Sequence, residues 1–116
     1  MITSILKSIK KDLGVSPDDA NFDQDIIADI NLVFLKLTQL GVGPTVGFFI
    51  EDDTTNWENY VSDAFIHKPL ESYMYMEVKK VFDPPSSAAM LDVLNQSIRE
   101  YECRIRDWAE EKGLTT

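Results

Sequence analysis

Two adjacent prolines, Pro84 and Pro85, constrain the second half of this chain more than any other feature. Neither carries an N–H for a helical ladder, and each restricts the residue before it, so a helix arriving from the N-terminal side must end near Phe82. Between Ser86 and Lys112 there is neither glycine nor proline. Ser86 or Ser87 can accept a free N–H of a new first turn, and the spacing predicts one unbroken helix that stops at Gly113. Leu91, Leu94, Ile98, Tyr101, Ile105 and Trp108 recur along it at alternating steps of three and four, a narrow apolar stripe. At 1.5 Å per residue such a helix is roughly 40 Å long, about the width of a small domain. The other segments are expected to pack along it or leave it projecting. Glu100 with Arg104, and Glu102 with Arg106, are spaced as i,i+4 pairs on its exposed side.

The chain has 116 residues, 44% of them apolar, enough for one core, so residues 1–116 are read as a single domain. No apolar run approaches the roughly 18 residues that cross a bilayer. Met1 to Lys11 lacks the apolar block of a signal peptide, so the chain is expected to stay in the cytoplasm of the cell that makes it. Cys103 and His67 are each alone, which excludes an internal disulfide and gives no cluster of metal ligands; no metal and no cofactor are expected. Net charge is −9 but unevenly placed: Lys7, Lys10 and Lys11 stand in a first stretch without acid, while all 20 acids lie beyond it. That balance argues against a protein that grips nucleic acid through a basic face, and permits one that lets DNA slide past.

In chain order, Ile2, Ile5, Leu6, Ile9 and Leu13 follow a helical period, and Gly14 before Val15 fits a left-handed stop. Residues 16–21 form a polar turn. A second helix opens near Asn21 or Asp23 and carries Ile26, Ile27, Ile30, Val33, Phe34, Leu37 and Leu40 on a wide face, with Asp23 and Asp25 in its first turn. Gly41 closes it. Residues 41–54 are a long connection punctuated by Gly41, Gly43, Pro44 and Gly47, in which Phe48, Phe49 and Ile50 are read as one short strand in search of a partner. Thr55 with Glu58 reads as a capping box ahead of a short helix bearing Trp57, Tyr60, Val61 and Ala64. Pro69 suits the first turn of a fourth helix lined by Leu70, Tyr73, Met74, Val78, Val81 and Phe82. The fold is therefore expected to be all-α, with about five helices and a long C-terminal one.

The chain carries no complete catalytic or ligand-binding motif. Asp19, Asn21, Asp23 and Asp25 alternate like the start of a calcium loop, but Gln24 stands where the turn needs glycine and Ile30 where a bidentate glutamate should close the site. They are read as helix-capping acids. The glycines at 41, 43 and 47 lack the Lys-Ser/Thr of a phosphate loop. His67 has no nucleophile or orienting acid in its pattern, and Cys103 sits among mixed charges, so both are read as incidental. No catalytic constellation survives, and the chain is not read as an enzyme.

Several segments nevertheless stand in a familiar order. Phe22-Asp23-x-Asp25-Ile26-Ile27 opens a helix; Gln39-Leu40-Gly41-Val42-Gly43-Pro44 and Gly47-Phe48 follow, then an acidic turn and Trp57; a Tyr-rich helix ends Val81-Phe82-Asp83-Pro84-Pro85-Ser86-Ser87 before the long helix. This order resembles the head-tail connector (adaptor, head-completion) proteins of long-tailed bacteriophages and prophages over nearly the whole chain. The resemblance implies a structural virion protein that assembles as a ring, dodecameric in the virion. That ring would sit beneath the portal protein, join it to the next neck or tail-completion protein, and enclose the channel through which the genome leaves. It implies assembly in the host bacterial cytoplasm and residence at the head-tail junction. No catalytic residue is carried over from it.

Contact residues are read from the chain itself. A ring needs two different complementary patches on each subunit, and Lys7, Lys10 and Lys11 against an acidic remainder supply one pair. Val42, Pro44, Phe48, Phe49 and Ile50 in the long loop, and Trp108 near the end of the last helix, are expected to dock onto neighbouring rings; Tyr75 is expected to touch another subunit. An acidic lumen would repel duplex DNA, which carries one charge per about 1.7 Å, and let it pass without specific binding. The rival reading is a small acidic helical interaction module, a host-protein inhibitor or DNA mimic.

Overall fold

A computed structural model describes residues 4–115 as five helices: α1 (Ile5–Leu13), α2 (Asp23–Gln39), α3 (Trp57–Tyr60), α4 (Ala64–Phe82) and α5 (Ala88–Lys112). Ile2, expected at the start of the first helix, lies outside the described residues. The helix ends follow local chemistry. Ser4 and Ser87 each accept an N–H of the following first turn, from Lys7 (3.3 Å) and Met90 (3.1 Å). Gly14 adopts the left-handed conformation after α1, with its N–H and that of Val15 returning to Lys11 O and Lys10 O. Gly113 ends α5 in the same way.

The centre of the fold is α4. It packs against α1, α2, α3 and α5, whereas α5, the organising element suggested by sequence, rests chiefly on α4. Leu70, Tyr73, Met74 and Val78 are fully buried on α4 and meet Ile5, Leu6 and Ile9 of α1 and Ile26, Ile30, Phe34 and Leu37 of α2 in one core. Phe22 and Phe82 touch edge to face (centroids 5.5 Å apart), which sets the start of α2 beside the end of α4. Along α5 the first fully buried residue is Ile98, followed by Ile105 and Ala109. Ahead of Ile98, Leu94 is half-buried against the core, and the first turns are the least covered part of the helix.

Two boundaries and the facing of one residue differ from the sequence reading. Helix α4 begins at Ala64, not at Pro69, because Asp63 Oδ1 caps it by accepting from Phe65 N (3.0 Å). Pro69 is tolerated inside because the carbonyl it leaves without a donor belongs to the exposed Phe65, where water can serve. The cap of α3 is shifted by one: Asn56 N donates to Asn59 Oδ1 (2.8 Å), since Thr55 O is already held by Ile5 N (3.0 Å). Val81, expected on the core side of α4, is 64% exposed, because it lies in the last turn beyond the neighbouring core.

The strand expected at Phe48 to Ile50 does not form. Among the described residues the only ladder-like contacts are isolated bridges between Ser4 and Asn56 and between Gly43 and Thr115. The physical substitute is the Asn31 side chain, whose Oδ1 accepts from Ile50 N (2.8 Å) and whose Nδ2 donates to Ile50 O (3.0 Å). A side-chain amide thus satisfies both backbone groups that a partner strand would have taken.

Candidate subunit-contact surfaces

Three helices converge on a polar node that the sequence reading missed. Tyr73 of α4 is buried, and its hydroxyl lies 3.0 Å from Glu77 Oε2 and 2.9 Å from Glu102 Oε2 of α5. Lys36 Nζ of α2 lies 2.8 Å from the same Glu77 oxygen. Glu77 is buried although charged, so Lys36 and Tyr73 are what make its position tolerable. Burial first, and then Glu77 and Glu102, push the Tyr73 phenol far above its ordinary range, so it stays a donor. Glu102, read as an outward partner of Arg106, turns inward here. The available signal was phase: Glu77 follows Tyr73 by four and Met74 by three, on the buried stripe.

Beside this node, α2 and α4 enclose an open groove of about 340 Å³ lined by Asp29, Leu32, Leu35, Lys36, Glu77 and Val81, with Val33 and Gln39. Leu32, Leu35 and Val81 are each more than half exposed. None of these three was named as a contact residue from sequence; a second apolar line on the outer side of α2 was the signal for it.

The ten expected contact residues separate by burial. Lys10 is 4% exposed and faces inward: its Nζ forms an ion pair with Asp23 (2.8 Å) and donates to Asp19 O (2.8 Å) and Pro17 O (3.4 Å). It holds the turn between α1 and α2 and is not available to a neighbour. Val42 and Ile50 are core residues, 1% and 2% exposed, because the long loop folds back over α2. Phe48 is half-buried against Phe34 (5.0 Å) and Tyr60 (4.8 Å). Pro44, Tyr75 and Trp108 are also half-buried. Lys7, Lys11 and Phe49 face solvent, and Val46, at the tip of the loop, is 96% exposed. Lys7 Nζ is 3.8 Å from Asp53, a weak exposed pair.

The acids of the calcium-like run have structural partners: Asp19 Oδ1 accepts from Asn21 N (3.0 Å), and Asp23 holds Lys10. Among the described residues no group of three His, Cys, Asp or Glu is placed to hold a metal ion, and no helix is long and apolar enough to cross a membrane. His67 donates from Nε2 to Val61 O (2.6 Å), while Cys103 is exposed.

One carboxylate at the α1–α4 contact has an altered titration. Burial and then the Asp12 carboxyl raise Glu71 from 4.5 to about 7, against the opposing pull of Lys68 (3.5 Å). The folded state binds this proton more tightly than the unfolded chain does. Its contribution to stability is therefore full below about pH 4.5 and is lost as pH rises towards 7. Glu71→Gln is expected to melt a few degrees above the native protein at pH 8 and together with it near pH 4.5, measured by circular dichroism. Parallel pH profiles would remove the effect.

Taken together, this is a small all-α domain whose uncommitted features are apolar and charged surfaces suited to contact with other proteins. A family profile described as phage connector protein matches residues 5–112, from the first residue of α1 to the last of α5, and the chain belongs to that family. Membership gives it a structural head-tail connector role, contact with other head and tail proteins, and a place in the virion. No curated protein and no solved structure matches the chain.

Proposed function

We propose that this protein forms a ring of identical subunits between the portal and the next neck or tail component, and that the genome leaves through its centre. The observation that carries the reading is the family match over all five helices. Two features support it. The exposed apolar residues of the α2–α4 groove, the loop tip and the front of α5 are different surfaces on one chain, as a head-to-tail ring requires. The net charge of −9, repeated around a ring, would repel DNA phosphates and keep the duplex moving.

In this arrangement Val46 and Phe49 of the loop, with Pro44 beneath them, dock onto a neighbouring ring, as does the α5 end near Trp108. Lys7 and Lys11 meet acids of the adjoining subunit or of the portal. Subunits assemble in the host cytoplasm and remain at the head-tail junction. Electron microscopy of the protein mixed with the portal of the same virus is expected to show added ring density on the portal axis. The assembled ring is expected to retain no duplex DNA at physiological salt. A chain that stays single beside the portal and instead captures one host DNA-binding protein would replace this reading with that of an acidic mimic.

A further inference from the structure

Among the described residues, two apolar faces have no cover within the subunit. One is the α2–α4 groove, where Leu32, Leu35 and Val81 are open. The other is the front of α5: from Ala88 to Ser97 no residue is fully buried, and Met90 and Val93 are about two-thirds exposed. We infer that these faces meet between neighbouring copies, the leading turns of one subunit's α5 lying in the α2–α4 groove of the next. The inference rests on the ring reading above and assigns the contact that it leaves open.

The two faces match in several independent respects. The α2 side of the groove runs from Asp29 to Gln39, and the uncovered part of α5 from Ala88 to Ser97, each roughly 15 Å of helix. Met90 and Val93 are three apart, the spacing by which a helix presents anchors to an apolar groove, and the small side chain of the exposed Ala89 permits close approach. Charge favours the same pairing. Asp29 lines one end of the groove and Asp25 stands one turn before it. Burial, and then repulsion from Asp25, raise the Asp29 carboxyl above its ordinary range, so a positive neighbour there is favourable. The first turn of α5 contains no acid and presents the positive end of its dipole. Another exposed apolar segment, the loop tip at Val46 and Phe49, is followed by Glu51, Asp52 and Asp53, three acids against the single Asp92 in the uncovered part of α5, and would bring more negative charge to that end.

The pairing joins unlike surfaces, so each copy uses its groove for one neighbour and its α5 for the other. Cross-linking tests this directly. In a Cys103→Ser background, Leu32→Cys and Met90→Cys are made singly and together, concentrated to the millimolar range, and treated with a short bis-maleimide. Circular dichroism first confirms that each variant keeps the native helix content. The double variant is expected to give a ladder of bands at multiples of 13.2 kDa. Each single variant alone is expected to stay monomeric, and the two mixed are expected to stop at a dimer. Like-to-like dimers of either single variant would overturn the pairing, as would rings seen by electron microscopy with no ladder from the double variant. In that last case the ring reading stands and only this contact falls. Native protein that forms no ring at any concentration, nor on the portal, removes both.

Discussion

Gly43→Ala is expected to destabilise the protein by about 2–5 kcal/mol, enough to lower its melting temperature by more than about 10 °C. Two costs combine. Gly43 has φ of 81°, where an alanine loses about 1–2 kcal/mol to contact between its Cβ and the backbone. A Cβ there would also collide with the Tyr60 ring, and that ring cannot retreat, being wedged against Phe34 and Phe48 with its hydroxyl donating to Val42 O (3.2 Å). The same glycine's N–H donates to Leu114 O (2.9 Å), so its displacement would also free the segment after α5. Gly47→Ala is the control: φ is 98° but nothing lies within 4 Å of the added carbon, so only the conformational cost of about 1–2 kcal/mol is expected. Equal melting temperatures for the two variants would show that the Tyr60 contact does not constrain the loop.

Lys10→Ala should cost about 2–4 kcal/mol, while Lys11→Ala should stay within about 0.5 kcal/mol of the native protein. Removing Lys10 leaves Asp23 without its counter-charge and the carbonyls of Pro17 and Asp19 without their donor. It also removes a cation from the last turn of α1, where the helix dipole favours one. Urea denaturation followed by circular dichroism measures both differences. If Lys10→Ala proved as stable as Lys11→Ala, the turn between α1 and α2 would have to be held by other contacts.

These two lysines illustrate where sequence reading stopped. They are adjacent and chemically identical, and both looked like surface charge. Lys10, however, follows Leu6 by four and precedes Leu13 by three, which places it on the flank of the apolar stripe. That phase was legible; the polar turn that folds back to meet it was not, because its carbonyls come from residues 17 and 19 and carry no side-chain signal. Helix ends at Gly14, Ser87 and Gly113 were readable because each is decided by one residue acting on its own turn. The supposed strand failed for the opposite reason. Ile50 finds its partner in Asn31, 19 residues earlier, and nothing in the apolar run from Phe48 announces that a side-chain amide will replace a neighbouring strand. Val42 and Ile50, expected at a contact surface, lie in the core of the subunit, because an apolar loop residue reads alike whether the loop lies outward or folds under. The α2–α4 groove needed the placement of two helices separated by 24 residues of chain, 40–63.

Helix α5 is held most firmly over its second half; Ile98 is its earliest fully buried residue, and of the apolar residues ahead of it Leu94 is half-buried against the core. Mechanically this is an oar in its rowlock. The ten residues ahead of Ile98 reach roughly 15 Å, so a small tilt at that fulcrum sweeps the tip through several ångströms. Such a swing would move this one arm and leave the packing around α4 undisturbed.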